Sequence, residues 1–276
     1  FDPDSIAPGR VILAVGKRGT GKSVLVRDLL YRMRKKIDLV IAMTPTEESM
    51  TEFKKFIPDS FLYDDFSLGT LESLIEHQRE IGRRGGRRQN VMLVLDDMMY
   101  DKTVLKSVAI RDVFMNGRHL NITFVNAMQY VMDMTPDLRT QVDYIFALRE
   151  NIIMNRTKLW KYFFGMFEKY QNFATVMDSC TQNNECIVLD NTQKSNDISK
   201  CISWYKATLN LPEFKMCRRR YWVMHYTHVK LPESRYVSES SSTISDKRQN
   251  AGTRGMKIQC VEKGAPAPSC VVADPG

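Results

Sequence analysis

No apolar run in the 276-residue chain is longer than a strand, so the sequence offers nothing to span a membrane as a helix. The first ten residues, FDPDSIAPGR, supply neither a basic leader nor an apolar signal core. The chain opens on Phe1 and not on methionine, as a piece of a longer protein would. Its six cysteines (Cys180, Cys186, Cys201, Cys217, Cys260, Cys270) include no C-x-x-C pair and, without a signal for an oxidising compartment, read as free thiols. Histidine is scarce. Cys217, His225 and His228 lie near one another, but their spacing fits no standard zinc finger, and the intervening Tyr221-Trp222-Val223 reads as strand, which disfavours zinc. Carboxylates are outnumbered, 32 Asp and Glu against 40 Lys and Arg, and the resulting charge of +8 favours polyanionic partners. The excess is clustered in Gly82-Arg83-Arg84-Gly85-Gly86-Arg87-Arg88 and in Arg218-Arg219-Arg220. Either cluster suits a phosphate backbone or a solvated loop, and charge alone does not separate DNA from RNA. The hydrophobic fraction of 43% and charged fraction of 26% are ordinary for a globular protein with a sizeable core.

Against these absences stands one strong motif. Gly16-Lys17-Arg18-Gly19-Thr20-Gly21-Lys22-Ser23 fits G-x-x-x-x-G-K-[ST], with a buried strand (residues 10–15) entering and an amphipathic helix (24–33) leaving. Such a loop binds ATP because its glycines turn backbone N–H groups toward the phosphates and the following helix adds its positive end. Lys22 reaches the β- and γ-phosphates, and the Ser23 hydroxyl is a ligand for Mg²⁺.

The matching second motif is Asn90 to Tyr100, NVMLVLDDMMY, an apolar run of strand length that ends in two carboxylates. Asp96 closes the strand as a Mg²⁺ ligand. Asp97, pointing elsewhere, suits activation of the attacking water, because one carboxylate cannot serve as metal ligand and base together. An N-cap for the next helix is the other reading of Asp97, and the two are compatible.

Elsewhere strands alternate with helices, which predicts an α/β fold with a mainly parallel central sheet and helices on both faces. Strands are expected over 38–43, 61–63, 120–127, 144–148, 186–189 and 202–205, the last two extending the sheet. Helices are expected after the Thr44-Pro45-Thr46 break, over 68–81, over 103–115 and over 136–142. In the P-loop strand order 5-1-4-3-2, the strand over 120–127 lies between the P-loop strand and the one ending at Asp96. Gln129, just past its tip, then faces the γ-phosphate and is the candidate sensor, with an ordinary loop amide as the alternative. Arg118 lies far from its own P-loop in that layout and would serve as an arginine acting on the next subunit. Arg111, Arg139 and Arg149 compete for the role on sequence grounds.

Taken together, GKRGTGKS, TPTEES with FKKFIPDSFLY, VMLVLDDMMYD, NGRHLNITFVNAMQY and ECIVLDNTQKSNDISKCISWYKA resemble the genome-packaging ATPases of nucleocytoplasmic large DNA viruses, within the FtsK/HerA superfamily of ring-forming DNA translocases. The resemblance spans about residues 8–210. It implies a RecA-like P-loop ATPase with the P-loop strand next to the sensor strand, using ATP and Mg²⁺. It assigns phosphate binding to Lys22, Mg²⁺ to Ser23 and Asp96, water activation to Asp97, γ-phosphate sensing to Gln129 and the arginine finger to Arg118. Many superfamily members carry glutamate where Asp97 stands, so its shorter side chain has less reach. The implied partners are double-stranded DNA, other copies of the chain in a homo-oligomeric ring, and capsid or portal-vertex proteins, with no membrane. The implied location is the virion or a cytoplasmic virus factory. A cellular-type DNA translocase shares these features. A nucleoside or nucleotide kinase shares the P-loop, but Asp96-Asp97 and Gln129 suit water as the nucleophile better than a substrate hydroxyl. The ATPase domain is expected over 1–232. Residues 233–276, polar and serine-rich, predict a disordered tail, a possible contact arm for partner proteins.

Overall fold

The computed structural model describes residues 1–98, 104–129, 131, 134–229, 259–261 and 269–271. An eight-stranded sheet runs in the order β3-β2-β4-β5-β1-β6-β7-β8. Its strands are β1 (Val11–Val15), β2 (Leu39–Met43), β3 (Leu62–Tyr63), β4 (Val91–Asp96), β5 (Ile122–Met128), β6 (Tyr144–Ala147), β7 (Glu185–Asp190) and β8 (Ile202–Lys206). From β3 to β6 every pairing is parallel. β7 and β8 are added antiparallel. β1, β2, β4 and β5 are buried along their whole length, which is why they read as apolar runs and not as alternating strands. β5 does lie between β4 and β1, with Leu95 and Leu13 both in register with Asn126.

The crossovers explain the layering. α1 (Lys22–Met33) and α2 (Glu47–Lys54) carry the chain from β1 to β2 and on to β3, toward one edge of the sheet. α3 (Leu68–Arg83), α4 (Val108–Asn116) and α5 (Pro136–Arg139) carry it back the other way. Right-handed crossovers in opposite directions place the two sets on opposite faces. Phe114 of α4 meets Phe124 of β5 edge-on at 5.1 Å between ring centroids. On the α1 side, the Tyr205 hydroxyl of β8 donates to the fully buried carboxylate of Asp28, which ties α1 to the antiparallel edge. Burial and the Asp28 carboxylate both hold the Tyr205 hydroxyl well above its ordinary pKa.

Several boundaries differ from expectation. Helix 103–115 begins only at Val108, where Ser107 caps it by accepting from the Ile110 N–H at 3.3 Å; residues 104–106 form a 3-10 turn and Thr103 lies outside the described residues. Between β6 and β7 stand two helices that the sequence reading left unassigned, α6 (Ile153–Phe163) and α7 (Tyr170–Cys180), joined through Phe164 and Phe173 at 5.0 Å. After α8 (Ile198–Cys201) and β8, the chain ends its main body in α9 (Arg219–Val229). This helix overturns the strand expected at Tyr221-Trp222-Val223. Tyr221, Trp222 and His225 share one buried helical face, and that packing prevails over the strand preference of aromatic residues. Most of 233–276 lies outside the described residues; two short strands there, β9 (Gln259–Val261) and β10 (Ser269–Val271), pair antiparallel.

Candidate active site

The motifs converge on the edge of the sheet where β1, β4 and β5 end. The loop after β1 is fastened to the neighbouring strand by the Gly16 N–H donating to the Met128 carbonyl at 3.0 Å. A side chain at Gly16 would collide with Leu148 and the Thr20 hydroxyl, with a Cβ only 2.8 and 2.6 Å from them, so the loop's entry admits glycine alone. Gly21, at φ +96°, is the N-cap of α1 and takes the left-handed conformation that turns the loop into the helix. Lys22 and Ser23 are therefore the first two residues of α1.

Lys22 is buried, and its ammonium makes an ion pair with Asp97. Asp97 itself sits at φ +54°, a left-handed conformation unusual outside glycine, and its N–H donates to the Ala127 carbonyl at 3.1 Å. The turn aims its carboxylate across the P-loop while Asp96 points elsewhere. Asp97 is not the cap of α4, since Ser107 fills that place. Asp96, 3% exposed, accepts a 2.6 Å hydrogen bond from Ser49 through one oxygen, and its other oxygen has no partner among the described residues. Burial holds the Asp96 carboxyl above the ordinary carboxylate range; the Ser49 hydrogen bond and the Lys22 charge oppose that shift and Asp97 reinforces it. A buried carboxylate with one free oxygen, next to the first turn of the P-loop helix, fits a divalent cation: Ser23 and Asp96 would hold Mg²⁺.

Gln129 is exposed at the tip of β5, on a narrow cleft walled by Gly16, Leu148, Glu150, Asn155 and Lys158. Buried Glu150 organises the far wall by accepting from the Ile152 N–H at 2.8 Å and the Asn155 amide at 3.1 Å. Sequence reasoning missed Ser49, Glu150, Asn155 and also Asn184, whose side chain packs against Gly21. Only Ser49 carried a signal, because β2 neighbours β4 and the loop leaving β2 must therefore open beside Asp96.

The four arginines separate cleanly. Arg118 lies at the opposite edge of the sheet, its backbone against Gly9 and its guanidinium against His119 at 3.3 Å. Gly9 and Gly16 bracket β1, so the two ends are roughly 20 Å apart at about 3.3 Å per strand residue. Arg111 pairs with Asp137 at 2.7 Å. Arg139 stacks 3.7 Å above the Tyr162 ring. Arg149 follows Leu148 beside the P-loop and donates to Asn151 at 3.2 Å. The zinc grouping does not assemble: Cys217 accepts from the Val40 N–H at 3.3 Å while His225 bonds Ser60 at 3.1 Å, and no cluster of three metal-binding side chains exists among the described residues. Burial pushes the Cys217 thiol up to about 12. No helix among the described residues is long and apolar enough to cross a membrane.

A P-loop, an acidic pair ending the strand two places away and a polar tip on the strand between them define a P-loop ATPase fold. A profile of the family described as Poxvirus A32 protein matches residues 5–208, and the chain belongs to that family. The resemblance read from the sequence is thereby borne out. The chain is 34% identical over 207 residues to a protein of Frog virus 3 (isolate Goorha), covering 74% of this chain and 63% of that one. To a protein of Acanthamoeba polyphaga mimivirus it is 30% identical over 240 residues, covering 82% and 84%. It thus spans under two thirds of the frog virus relative. Among solved structures it is similar to the DNA-packaging ATPase of Sulfolobus turreted icosahedral virus, with TM-score 0.53, 18% identity, and coverage of 74% of this chain and 100% of that one. The genome-packaging NTPase of Sulfolobus turreted icosahedral virus 2 in complex with ATP-gammaS aligns with TM-score 0.51 and 19% identity over 76% and 100%. At these identities the likeness establishes the fold.

Proposed function

We propose that the chain is the ATPase of a motor that moves double-stranded DNA into a viral capsid. The observation that carries this reading is the meeting of Lys22, Asp96, Asp97 and Gln129 at one sheet edge from three separate stretches of sequence. Backbone N–H groups of residues 16–23 and the N-terminal end of α1 receive the phosphates, and Lys22 binds the β- and γ-oxygens. Mg²⁺, held by Ser23 and Asp96, would neutralise charge on the phosphates. Lys22 is paired with Asp97, and phosphate that takes over the lysine frees the Asp97 carboxylate. Asp97 then accepts a proton from the attacking water, and Gln129 orients that water or registers the loss of the γ-phosphate. Arg118, too distant to serve its own P-loop, stabilises the transferring phosphoryl group of the next subunit in a ring. The two structural neighbours are a DNA-packaging ATPase and a genome-packaging NTPase, and that kinship of fold together with the family membership supports the DNA substrate.

The test is steady-state ATP hydrolysis with and without long duplex DNA, beside Lys22→Ala. Salt-sensitive stimulation by DNA that vanishes in the variant is expected. Hydrolysis indifferent to DNA, with phosphate passing to a nucleoside or nucleotide acceptor, would overturn the motor.

A further inference from the structure

The fold gathers the chain's positive charge at the sheet edge opposite the ATP site. Residues 34–38, 83–90 and 218–221 are far apart in sequence, yet they meet below β2 and β4. Asp38 is the knot: one oxygen takes Arg218 at 2.6 Å and the other accepts from the Asn90 N–H at 2.9 Å. The Asn90 amide donates to the Lys36 carbonyl at 2.9 Å, and the Tyr221 hydroxyl bonds Gln89. These three segments hold ten lysines and arginines and a single carboxylate, Asp38 itself. Two more carboxylates reach the edge from α3, and both are taken, Glu76 by Arg83 at 2.6 Å and Glu80 by Arg84 at 2.5 Å. Among the described residues, exposed Lys35, Arg87 and Arg219 make no hydrogen bond or ion pair, Arg88 donates only to the Gln78 carbonyl, and exposed Arg220 reaches only Tyr221. Such a surface carries charge that nothing among the described residues neutralises.

We infer that this edge is the DNA-contacting surface, and that it grips the phosphate backbone of a duplex. The inference rests on the motor reading and names the surface that reading requires. Duplex is favoured over single strand because a single-strand groove needs a row of exposed rings for successive bases, whereas Tyr221 and Trp222 beside the patch are buried with 5% and 9% exposure and the exposed Tyr226 of the same helix is a single ring already engaged by Lys215. Contacts made only by guanidinium and ammonium groups to phosphate carry no base identity, which suits a motor that must pass any sequence. Gly85, at φ +71°, and Gly86 interrupt the arginine loop and let it follow a moving backbone.

The experiment compares the full chain with R87A/R219A/R220A and R87K/R219K/R220K. It measures fluorescence anisotropy of a labelled duplex across salt, together with DNA-free and DNA-stimulated ATP hydrolysis and melting. The alanine variant is expected to bind duplex about 10- to 100-fold more weakly at low salt and to flatten the salt slope by about 2 to 3, the share of three phosphate contacts. Its stimulation by DNA is lost, DNA-free turnover stays within about twofold as the distance from the P-loop dictates, and the lysine variant recovers most of the binding. Equal affinity and slope in the wild-type chain and the alanine variant, with DNA stimulation intact, would sink this surface and leave the motor standing. Failure of the wild-type chain to bind or respond to duplex would sink the motor itself. Capture of the wild-type chain by anionic vesicles in preference to duplex would reassign the patch to a lipid surface.

Discussion

The two edges of the sheet are built on opposite electrostatic terms. At the edge where β1, β4 and β5 end, buried polar groups are left incomplete: one oxygen of Asp96 and both amide atoms of Asn126 have no hydrogen-bond partner among the described residues, and Asp97 is held in a left-handed conformation. At the other edge Asp38, Glu76 and Glu80 are all paired, the Gln78 amide oxygen is a buried side-chain atom there without a hydrogen-bond partner among the described residues, and what is in excess is exposed cation. Unfinished valences belong where a ligand completes them at close range and in a dry setting. Unneutralised charge in water belongs where a large polyanion supplies many weak contacts. The difference teaches where each kind of ligand belongs.

The sharpest way to separate the edges is to remove the Lys22–Asp97 pair. Lys22→Ala, and independently Asp97→Asn, should lower turnover on the order of 10³-fold, the scale of losing one preorganised charge or base at a phosphoryl-transfer centre. Duplex binding in the absence of ATP should barely change, because the pair lies at the far end of the strands. Loss of duplex affinity in either variant would mean that the edges are one functional surface and not two.

A second, smaller perturbation strikes the other edge. Asp38→Ala removes the carboxylate that holds three segments, and its cost should come mostly from the stranded Asn90 N–H, about 1–2 kcal/mol in denaturant unfolding. The exposed Arg218 partner adds little on its own. Turnover without DNA should survive. A variant as stable as the wild-type chain would show that the basic segments are placed by the strands alone, with Asp38 dispensable.

Legibility followed the same division. The parallel core was readable because its strands are buried on both sides and appear as uninterrupted apolar runs, and each ends at a residue whose chemistry marks the edge: Val15 before the P-loop, Asp96, and Met128 before Gln129. What escaped was whatever depends on contacts remote in sequence. Ser49 looks like any hydroxyl in a helix until β2 is set beside β4. Glu150 and Asn155 fall at the start of α6, whose exposed Ile152, Ile153 and Met154 give no amphipathic signal. Tyr221 and Trp222 read as strand because aromatic residues favour strands, and only docking over Gln89 and Met216 made them a helix. The two arginine clusters were each visible, but their meeting was not, since it is written in one aspartate 45 residues or more from either.

The subtlest contrast is in the sign of a stability change. Asp96 lies in a dry site, and burial raises its carboxyl above the ordinary range. A group with a raised folded-state pKa loses stability on ionising, so its penalty is absent below the unfolded carboxylate range and grows as pH climbs through the folded value. Asp96→Asn keeps the shape and removes the charge. Without nucleotide and in chelator, the variant should melt near the wild-type temperature at about pH 4 and roughly 2–4 °C above it at neutral pH, the shift expected of about 1 kcal/mol in a chain this size. Adding Mg²⁺ and ATP should then stabilise the wild-type chain more than the variant, which keeps Lys22 and the P-loop N–H groups for the phosphates but lacks the carboxylate charge that holds the cation. Scanning melting against pH with and without the ligands reads both effects in one series. A variant that melts below the wild-type chain at neutral pH would mean that the Ser49 hydrogen bond and the Lys22 charge already repay the burial of Asp96, and that this edge is as complete in itself as the other.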